Sequence, residues 1–121
     1  MINDEYLNGL AKLMIGESFT IPSYVAFGST SYTLSGQDNS IQGEFDRIIL
    51  SSTNRSNNLA KFICSRSSSD AGNETINVVG LVNSASLGSS GNLQVAFLIS
   101  SLVHTTDFDL EVEFWVNHER I

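Results

Sequence analysis

The chain has 121 residues, of which 41% are hydrophobic and 16% are charged, and its formal net charge is -7. This length predicts one domain, with enough buried surface for a core that needs no disulfide or metal. Six Lys and Arg residues are too few for the basic surface that binding to nucleic-acid phosphates requires. The single cysteine, Cys64, excludes an intrachain disulfide, and no apolar run is as long as a membrane-spanning helix.

The first predicted element is a helix over residues 4–15. Asn3 or Asp4 can cap its N-terminus, and Gly16 is well placed to end it. Apolar residues at helical spacing form one stripe, made of Tyr6, Leu7, Leu10, Leu13 and Met14. A helix this short is marginal alone, so the stripe must dock, either on the sheet of its own chain or on a neighbouring subunit. These five residues are therefore interface candidates.

From residue 19 onward the pattern is typical of β-structure. Strands are predicted at 24–27, 45–52, 59–66, 75–82, 93–99 and 108–116. The polar stretch 54–58 predicts a hairpin that joins the second and third of these strands. Further polar loops are predicted at 29–40, 67–74 and 83–92, the last with Gly88 and Gly91. The pattern favours a mainly β, antiparallel, jelly-roll-like β-sandwich over 19–121, with the helix in 1–16, in a single domain.

The last strand shows the clearest alternation of the chain. Apolar residues occupy the even positions from Phe108 to Val116, and the acidic residues between and just before them are Asp107, Asp109, Glu111 and Glu113. A straight strand offers neither the bent backbone of a calcium loop nor two carboxyls on opposite sides of a sugar. A solvated, negatively charged sheet face is the ordinary interpretation. A surface for a partner's Lys or Arg is the alternative.

Trp115 interrupts this acidic face. An exposed Trp there would mark a contact site, and together with Tyr6, Tyr24 and Tyr32 it could stack on sugar rings. A Trp that is packed beneath the helix is the more usual outcome, and it is the interpretation that we prefer from the sequence.

Residues with catalytic potential are sparse. His104 and His118 are separated by a predicted strand that would span roughly 45 Å, so a shared metal site is not expected. Arg55, Lys61 and Arg66 are expected to be solvated charges on two neighbouring strands. The sequence has no nucleophile elbow, phosphate-binding loop or Cys/His metal spacing. We therefore expect no catalytic, cofactor-binding or metal-binding residues, and no enzyme activity.

Several short motifs follow one another along the chain: Val25-Ala-Phe-Gly28, Asp38-Asn-Ser-Ile41, Glu44-Phe-Asp-Arg47, Gly80-Leu-Val-Asn83, Gly91-Asn-Leu-Gln-Val-Ala-Phe97 and His104-Thr-Thr-Asp107. Taken in this order, they resemble the motifs of small β-sandwich proteins of tailed-bacteriophage virions, which occur in tail fibres, baseplates and capsid decorations. The chain departs from that pattern at two positions, with Val78 where the family often has an acidic residue and Val82 where it has an aromatic one.

Within these motifs, Gly28, Glu44, Arg47, Gly80 and Asn83 are expected to be structural. Gly28 would let the backbone turn sharply after Phe27. Glu44 and Arg47 could pair and hold the long connection before them, contributing about 0.5 kcal/mol if the pair is exposed.

The resemblance implies a non-catalytic structural component of a virion, assembled in the host cytoplasm, that binds neighbouring virion proteins as a tail connector, a fibre attachment or a capsid decoration. It also implies a homo-oligomer, trimeric or ring-shaped, without cofactor, nucleic acid or membrane. Exposed sheet edges and an amphipathic helix would suit such a role. The alternative is a carbohydrate-binding β-sandwich module that contributes to adhesion to the host surface.

Overall fold

The computed structural model describes residues 1–87 and 93–118, which contain one α-helix and seven strands. The helix α1 covers Asp4–Met14. The strands are β1 (Tyr24–Gly28), β2 (Glu44–Ile49), β3 (Ser52–Ser56), β4 (Leu59–Arg66), β5 (Glu74–Val82), β6 (Leu93–His104) and β7 (Leu110–Asn117). A short 3₁₀ turn, Ser68–Asp70, precedes β5. The predicted positions of Gly88 and Gly91 in a loop lie outside the described residues.

The strands form two antiparallel sheets, which confirms the predicted β-sandwich with one short N-terminal helix. The four-stranded sheet has the order β2-β1-β5-β6, and the three-stranded sheet has the order β3-β4-β7. Alternate residues of both sheets point inward, because successive side chains of a strand face opposite sides. The core between the sheets comprises Tyr6, Val25, Phe27, Cys64, Ile76, Val79, Leu81, Val95, Phe114 and Val116.

The predicted hairpin between 45–52 and 59–66 is wrong. β2 ends at Ile49 and pairs with β1, whereas β3 lies in the other sheet and pairs with β4. All five residues of β3 are exposed and polar, so the strand has none of the apolar alternation by which strands are recognised. The hairpin turn is only Asn57-Asn58, where Asn57 has a φ of 54°, a left-handed conformation that asparagine tolerates.

Residues 29–43 cover the outer face of the four-stranded sheet. Ile41 is buried there against Ala26, Val78, Val82, Leu93 and Ala96, and Tyr32 and Leu34 pack beside it. A Cβ on Gly28 would lie 2.6 Å from the Gln42 carbonyl oxygen, and one on Gly80 would lie 2.7 Å from Leu93 Cδ1. The two motif glycines therefore leave room for this layer. Gly28 continues β1 rather than making the sharp turn that the sequence predicted.

The predicted pairing of Glu44 with Arg47 is confirmed, and the pair is buried rather than exposed. Arg47 donates through Nε and Nη2 to the two carboxylate oxygens of Glu44, and through Nη1 to the Ser84 carbonyl at 2.8 Å. Both side chains are almost fully covered. The pair thus links the start of β2 to the segment after β5. Asn83 also links two segments of the chain, because its Nδ2 donates a hydrogen bond to the Thr20 carbonyl at 3.0 Å.

The helix α1 docks on its own chain. Tyr6 enters the core, and Gly9 packs so closely against Phe19 that a Cβ at this position would collide with the ring. Asn3 makes no side-chain cap; its Nδ2 instead donates to the Asp38 carbonyl at 2.7 Å. Gly16 follows the helix with a φ of 80°, as the sequence predicted for its end.

Candidate functional site

The two histidines lie in separate environments, and within residues 1–87 and 93–118 no group of three His, Cys, Asp or Glu side chains is placed to hold a metal ion. His118 accepts a hydrogen bond at Nε2 from the Tyr6 hydroxyl at 2.7 Å, and its Nδ1 donates to the Asn58 carbonyl at 3.1 Å. The two rings also stack at 5.9 Å. Both ring nitrogens are therefore used in joining α1 to the β3–β4 turn.

The expectation that Arg66 is solvated is wrong, since Arg66 is only 1% exposed. Its Nε donates to Asp46 Oδ2 at 2.9 Å, and one Nη2 bond reaches the Asp70 carbonyl at 2.9 Å. Its guanidinium also lies 5.6 Å from the ring of Phe27 and 5.5 Å from that of Phe45. Because Arg66 belongs to β4 and Asp46 to β2, this contact ties the two sheets together.

Arg66 also contacts Glu74, whose Oε2 lies 3.5 Å from Nη2, and His104. Arg66 Nη1 lies 2.6 Å from His104 Nδ1, and His104 Nε2 lies 2.9 Å from the Phe108 carbonyl. Since a guanidinium only donates, Nδ1 must accept and Nε2 must carry the proton. His104 is thus a structural acceptor for a buried cation, with no nitrogen free for a substrate. No local sequence pattern predicts this contact, because its two partners come from β4 and β6.

Trp115 is 58% exposed, so the preferred expectation that it packs beneath the helix is wrong. It lies on the outer face of the three-stranded sheet, opposite Lys61 across the β4–β7 pair. Lys61 Nζ lies 4.6 Å from the centre of the indole ring, a cation–π contact. The aromatic ring is therefore presented on a polar surface, which we call the Trp115 face: Trp115, Lys61, Glu111 and Glu113.

The structure divides the four acidic residues at and before the last strand into two groups. Glu111 and Glu113 project from β7 and are exposed, as expected for a solvated face, whereas Asp107 and Asp109 precede the strand. Asp109 Oδ1 accepts a hydrogen bond from the Ser68 amide at 2.7 Å, so this carboxylate fixes a loop. The four carboxylates do not form one surface.

The interface candidates on α1 fall into two groups. Tyr6 is buried and Leu10 is half-buried, and both pack against the core of the same chain. Leu7, Leu13 and Met14 are exposed, Met14 to 86%. Ile15, just after the helix, is exposed as well and extends this apolar surface.

The most unusual surface of the described residues is an edge strand. β6 has 12 residues and lies at one edge of the four-stranded sheet, whereas the sequence predicted a strand of seven residues ending at Ile99. The N-terminal segment pairs with its first part: the Asn3 amide donates to the Gln94 carbonyl at 2.8 Å, and the Ala96 amide donates to the Met1 carbonyl at 2.9 Å. No described residue pairs with this edge beyond Ala96. We call residues Phe97–His104 the β6 edge.

The β6 edge is mainly apolar and contains no acidic residue, lysine or arginine. Four of its side chains are exposed large hydrophobics: Phe97, Leu98, Ile99 and Val103. Between Leu93 and His104 the sequence has no Asp, Glu, Lys or Arg. Natural sheet edges are commonly protected from other chains by charges, proline or bulges. Of these devices the described part of β6 has only bulges. Its register with β5 shifts between Ile76 and Val78, opposite residues 98–102, and again between Leu81 and Val82.

A shallow pocket of about 280 Å³ lies at the β3–β4 turn. Its lining residues are Arg55, Asn57, Asn58, Ala60 and His118. Arg55 Nη1 donates to the Asn57 carbonyl at 3.1 Å, and both His118 nitrogens are engaged as described above. The lining thus has no nucleophile–base pair on which chemistry could be built.

Cys64 is fully buried, as its apolar neighbours in the sequence predict. Burial, with the negative charge of Asp46 adding to it, raises the pKa of the Cys64 thiol to about 12. The nucleophilic form of cysteine is the thiolate. Cys64 therefore serves as a small core residue rather than as a nucleophile.

Comparison with protein-family models and with curated protein sequences finds no match to this chain. Among the described residues, the one α-helix has neither the length nor the apolar character that crossing a membrane would need.

Proposed function

We propose that this chain is a non-catalytic structural component of a tailed-phage virion that joins neighbouring virion proteins. In this proposal it works as a tail connector, a fibre attachment or a capsid decoration, and it assembles as a homo-oligomer, a trimer or a ring according to the resemblance. The virion setting comes from the order of the sequence motifs. The binding role is supported by the exposed surfaces of the sandwich.

The observation that supports the binding role most strongly is the β6 edge. An uncharged strand edge with four exposed large hydrophobics is a template on which another chain can add a strand. The exposed apolar residues of α1 provide a second surface of the same character. Groups that could perform chemistry are instead engaged in holding the fold, as His104, His118 and Cys64 illustrate.

The proposal is tested by mass spectrometry of density-gradient-purified particles from the phage that encodes the chain. The particles are first washed in a buffer of high salt concentration that contains no protease. We then expect peptides of this chain at a fixed copy number relative to the major capsid protein. A phage enzyme that acts only inside the infected cell serves as the negative control. If the chain is as depleted as that enzyme while the capsid protein is retained, the virion role is rejected.

A carbohydrate-binding role is the second candidate, and the exposure of Trp115 favours it. A flat indole ring with hydrogen-bonding side chains around it can stack on a sugar ring. On a glycan array, this role predicts binding that is lost in Trp115→Ala and retained in part in Trp115→Phe, with unchanged stability of both variants. An array without signal for the unaltered protein contradicts it.

A further inference from the structure

We infer that the β6 edge binds the β6 edge of a second copy of this chain, forming a two-fold symmetric pair in which the four-stranded sheets become one continuous sheet. This inference rests on the binding role in the proposed function, because it names the partner and the surface for that role. The assembly it predicts is a two-fold pair, which differs from the trimer or ring that the resemblance implies. The argument depends on the length of the free edge, its sequence, its bulge and its lack of charge.

The free edge has a self-complementary sequence. It runs from Phe97, just beyond the part covered by Met1 and Asn3, to His104, where β6 ends. The midpoint of these eight residues lies between Ser100 and Ser101. Antiparallel pairing about that midpoint places Ser100 opposite Ser101, Ile99 opposite Leu102, and Leu98 opposite Val103. Two pairs then join apolar residues, the two serines meet each other, and Phe97 lies opposite His104, whose ring is turned into its own chain toward Arg66.

The bulge makes this register possible. In a regular strand, Leu98 and Val103 would point to opposite faces, because they are five positions apart. Residues that oppose each other in an antiparallel pair share a face, so a regular strand could not pair with itself in this register. A bulge that shifts the alternation between the two positions removes the conflict.

The structure has the required shift. Leu98 pairs with Val78, which belongs to the cluster on the outer face of the sheet. Leu102 pairs with Ile76, which belongs to the core between the sheets, so the adjacent Val103 points outward like Leu98. These two side chains are 44% and 45% exposed. In the two-fold pair, each would cover the other across the new strand boundary.

Charge favours the β6 edge over the acidic surfaces of the chain as the place where two copies meet. A protein with a net charge of -7 repels its own copies wherever acidic side chains would face each other. The β6 edge has no charged residue, so two copies can approach there without bringing carboxylates together. A two-fold contact uses the same patch on both chains, which is what a self-complementary edge offers.

The first test is the mass of the purified full chain in solution. Sedimentation equilibrium over a wide concentration range should give twice the chain mass of 13.2 kDa at the upper end. Leu98→Lys should abolish this association, because it places a like charge on each side of the contact. The matched control is Ile49→Lys, which adds the same charge at an exposed residue of β2, the opposite edge of the same sheet. It should associate like the unaltered chain, and circular dichroism should show that both variants are folded.

The second test measures the register directly. In a Cys64→Ala background, a mixture of Leu98→Cys and Val103→Cys chains should form a disulfide-linked heterodimer under mild oxidation. Directly opposed residues have Cα atoms about 4.5–5.5 Å apart, within the range that a disulfide spans. Either variant alone should not cross-link, because two copies of the same position lie roughly 16 Å apart in this register.

The outcomes separate this inference from the virion role. A chain that stays monomeric at every concentration, or an oligomer whose cysteine mixture cross-links no better than either variant alone, overturns the β6 pairing. Either result leaves the virion role standing if the chain is present in purified particles. Dissociation by Leu98→Lys, insensitivity to Ile49→Lys and cross-linking only in the mixture would together establish the contact.

Discussion

Arg66 shows how a single buried cation can hold the two layers of this sandwich together. Its guanidinium reaches Asp46 of β2 and His104 of β6 from its own position on β4, and two aromatic rings flank it. Removal of one partner from a buried charge cluster leaves the other groups without their hydrogen bonds. Stability should therefore depend on Arg66 far more than on an exposed arginine.

We expect Arg66→Ala to lower the free energy of unfolding by about 3–5 kcal/mol, because it orphans His104 Nδ1 and leaves a void beside Phe27 and Phe45. Urea denaturation measures this loss. The control is Arg55→Ala, at an exposed position of β3, which should change stability by no more than about 0.5 kcal/mol. Equal effects of the two substitutions would contradict the role assigned to Arg66.

Cys64 should make the stability of the fold depend on pH, in a direction that follows from the raised pKa of its thiol. The pKa of the thiol is raised to about 12 in the folded chain, so the folded state keeps the proton where the unfolded state loses it. Its contribution to stability is therefore complete below the ordinary thiol pKa of 9.0 and is lost as the pH rises toward 12.

Between neutral pH and about pH 10.5, we expect this thiol to lower the free energy of unfolding by about 2 kcal/mol. Cys64→Ala should be less stable at neutral pH, since it leaves a small void, but should lose less stability on the alkaline side. Denaturant titrations at the two pH values measure both effects. Parallel losses in the two proteins would mean that other groups, such as the buried Tyr6, account for the alkaline sensitivity.

At the scale of elements, the layer formed by residues 29–43 depends on glycines beneath it. A methyl group on Gly28 would collide with the Gln42 carbonyl, which belongs to the layer, and with Val78 of β5. Gly28→Ala should destabilise the fold by about 1–3 kcal/mol through overpacking. Gly36→Ala is the matched control, because the nearest atom to its Cβ would be 3.6 Å away. Thermal denaturation compares the two, and a tolerated Gly28→Ala would show that the layer can move aside.

The sequence predicted those elements whose side chains alternate clearly, and it missed those whose position depends on distant partners. The predicted helix ends within one residue of the observed end, and the alternation of apolar residues predicts β7. Segments between polar loops predict β4 and β5, the latter as a buried strand. β3 was missed because its five residues are polar, and its pairing follows from the Asn57-Asn58 turn. β6 was predicted too short because its bulge breaks the alternation after Leu98.

The same reasoning explains what was predicted of the candidate site. The apolar stripe of α1 and the unusual position of Trp115 are visible in a linear pattern, although the pattern could not decide which side chains face outward. The β6 edge requires knowledge of the strand order, since a strand is an edge only with respect to its neighbours. The Arg66–His104 contact joins residues 38 positions apart and has no local signature.

For the whole molecule, the balance between charge and apolar surface determines how association should respond to salt. Two copies with a net charge of -7 repel each other at long range, while the β6 edges that would meet are uncharged. Salt screens the repulsion between the copies and has no ion pair to weaken at the contact. We therefore expect the dissociation constant of the pair to fall as NaCl is raised from about 0.02 to about 0.5 M. Sedimentation equilibrium at several salt concentrations measures this change.

The control variant is Glu111→Gln/Glu113→Gln, which removes two negative charges from the Trp115 face and leaves the β6 edge unaltered. Its dissociation constant should depend less on salt than that of the unaltered chain. A dissociation constant that rises with salt would mean that ion pairs hold the copies together, which the β6 edge cannot provide.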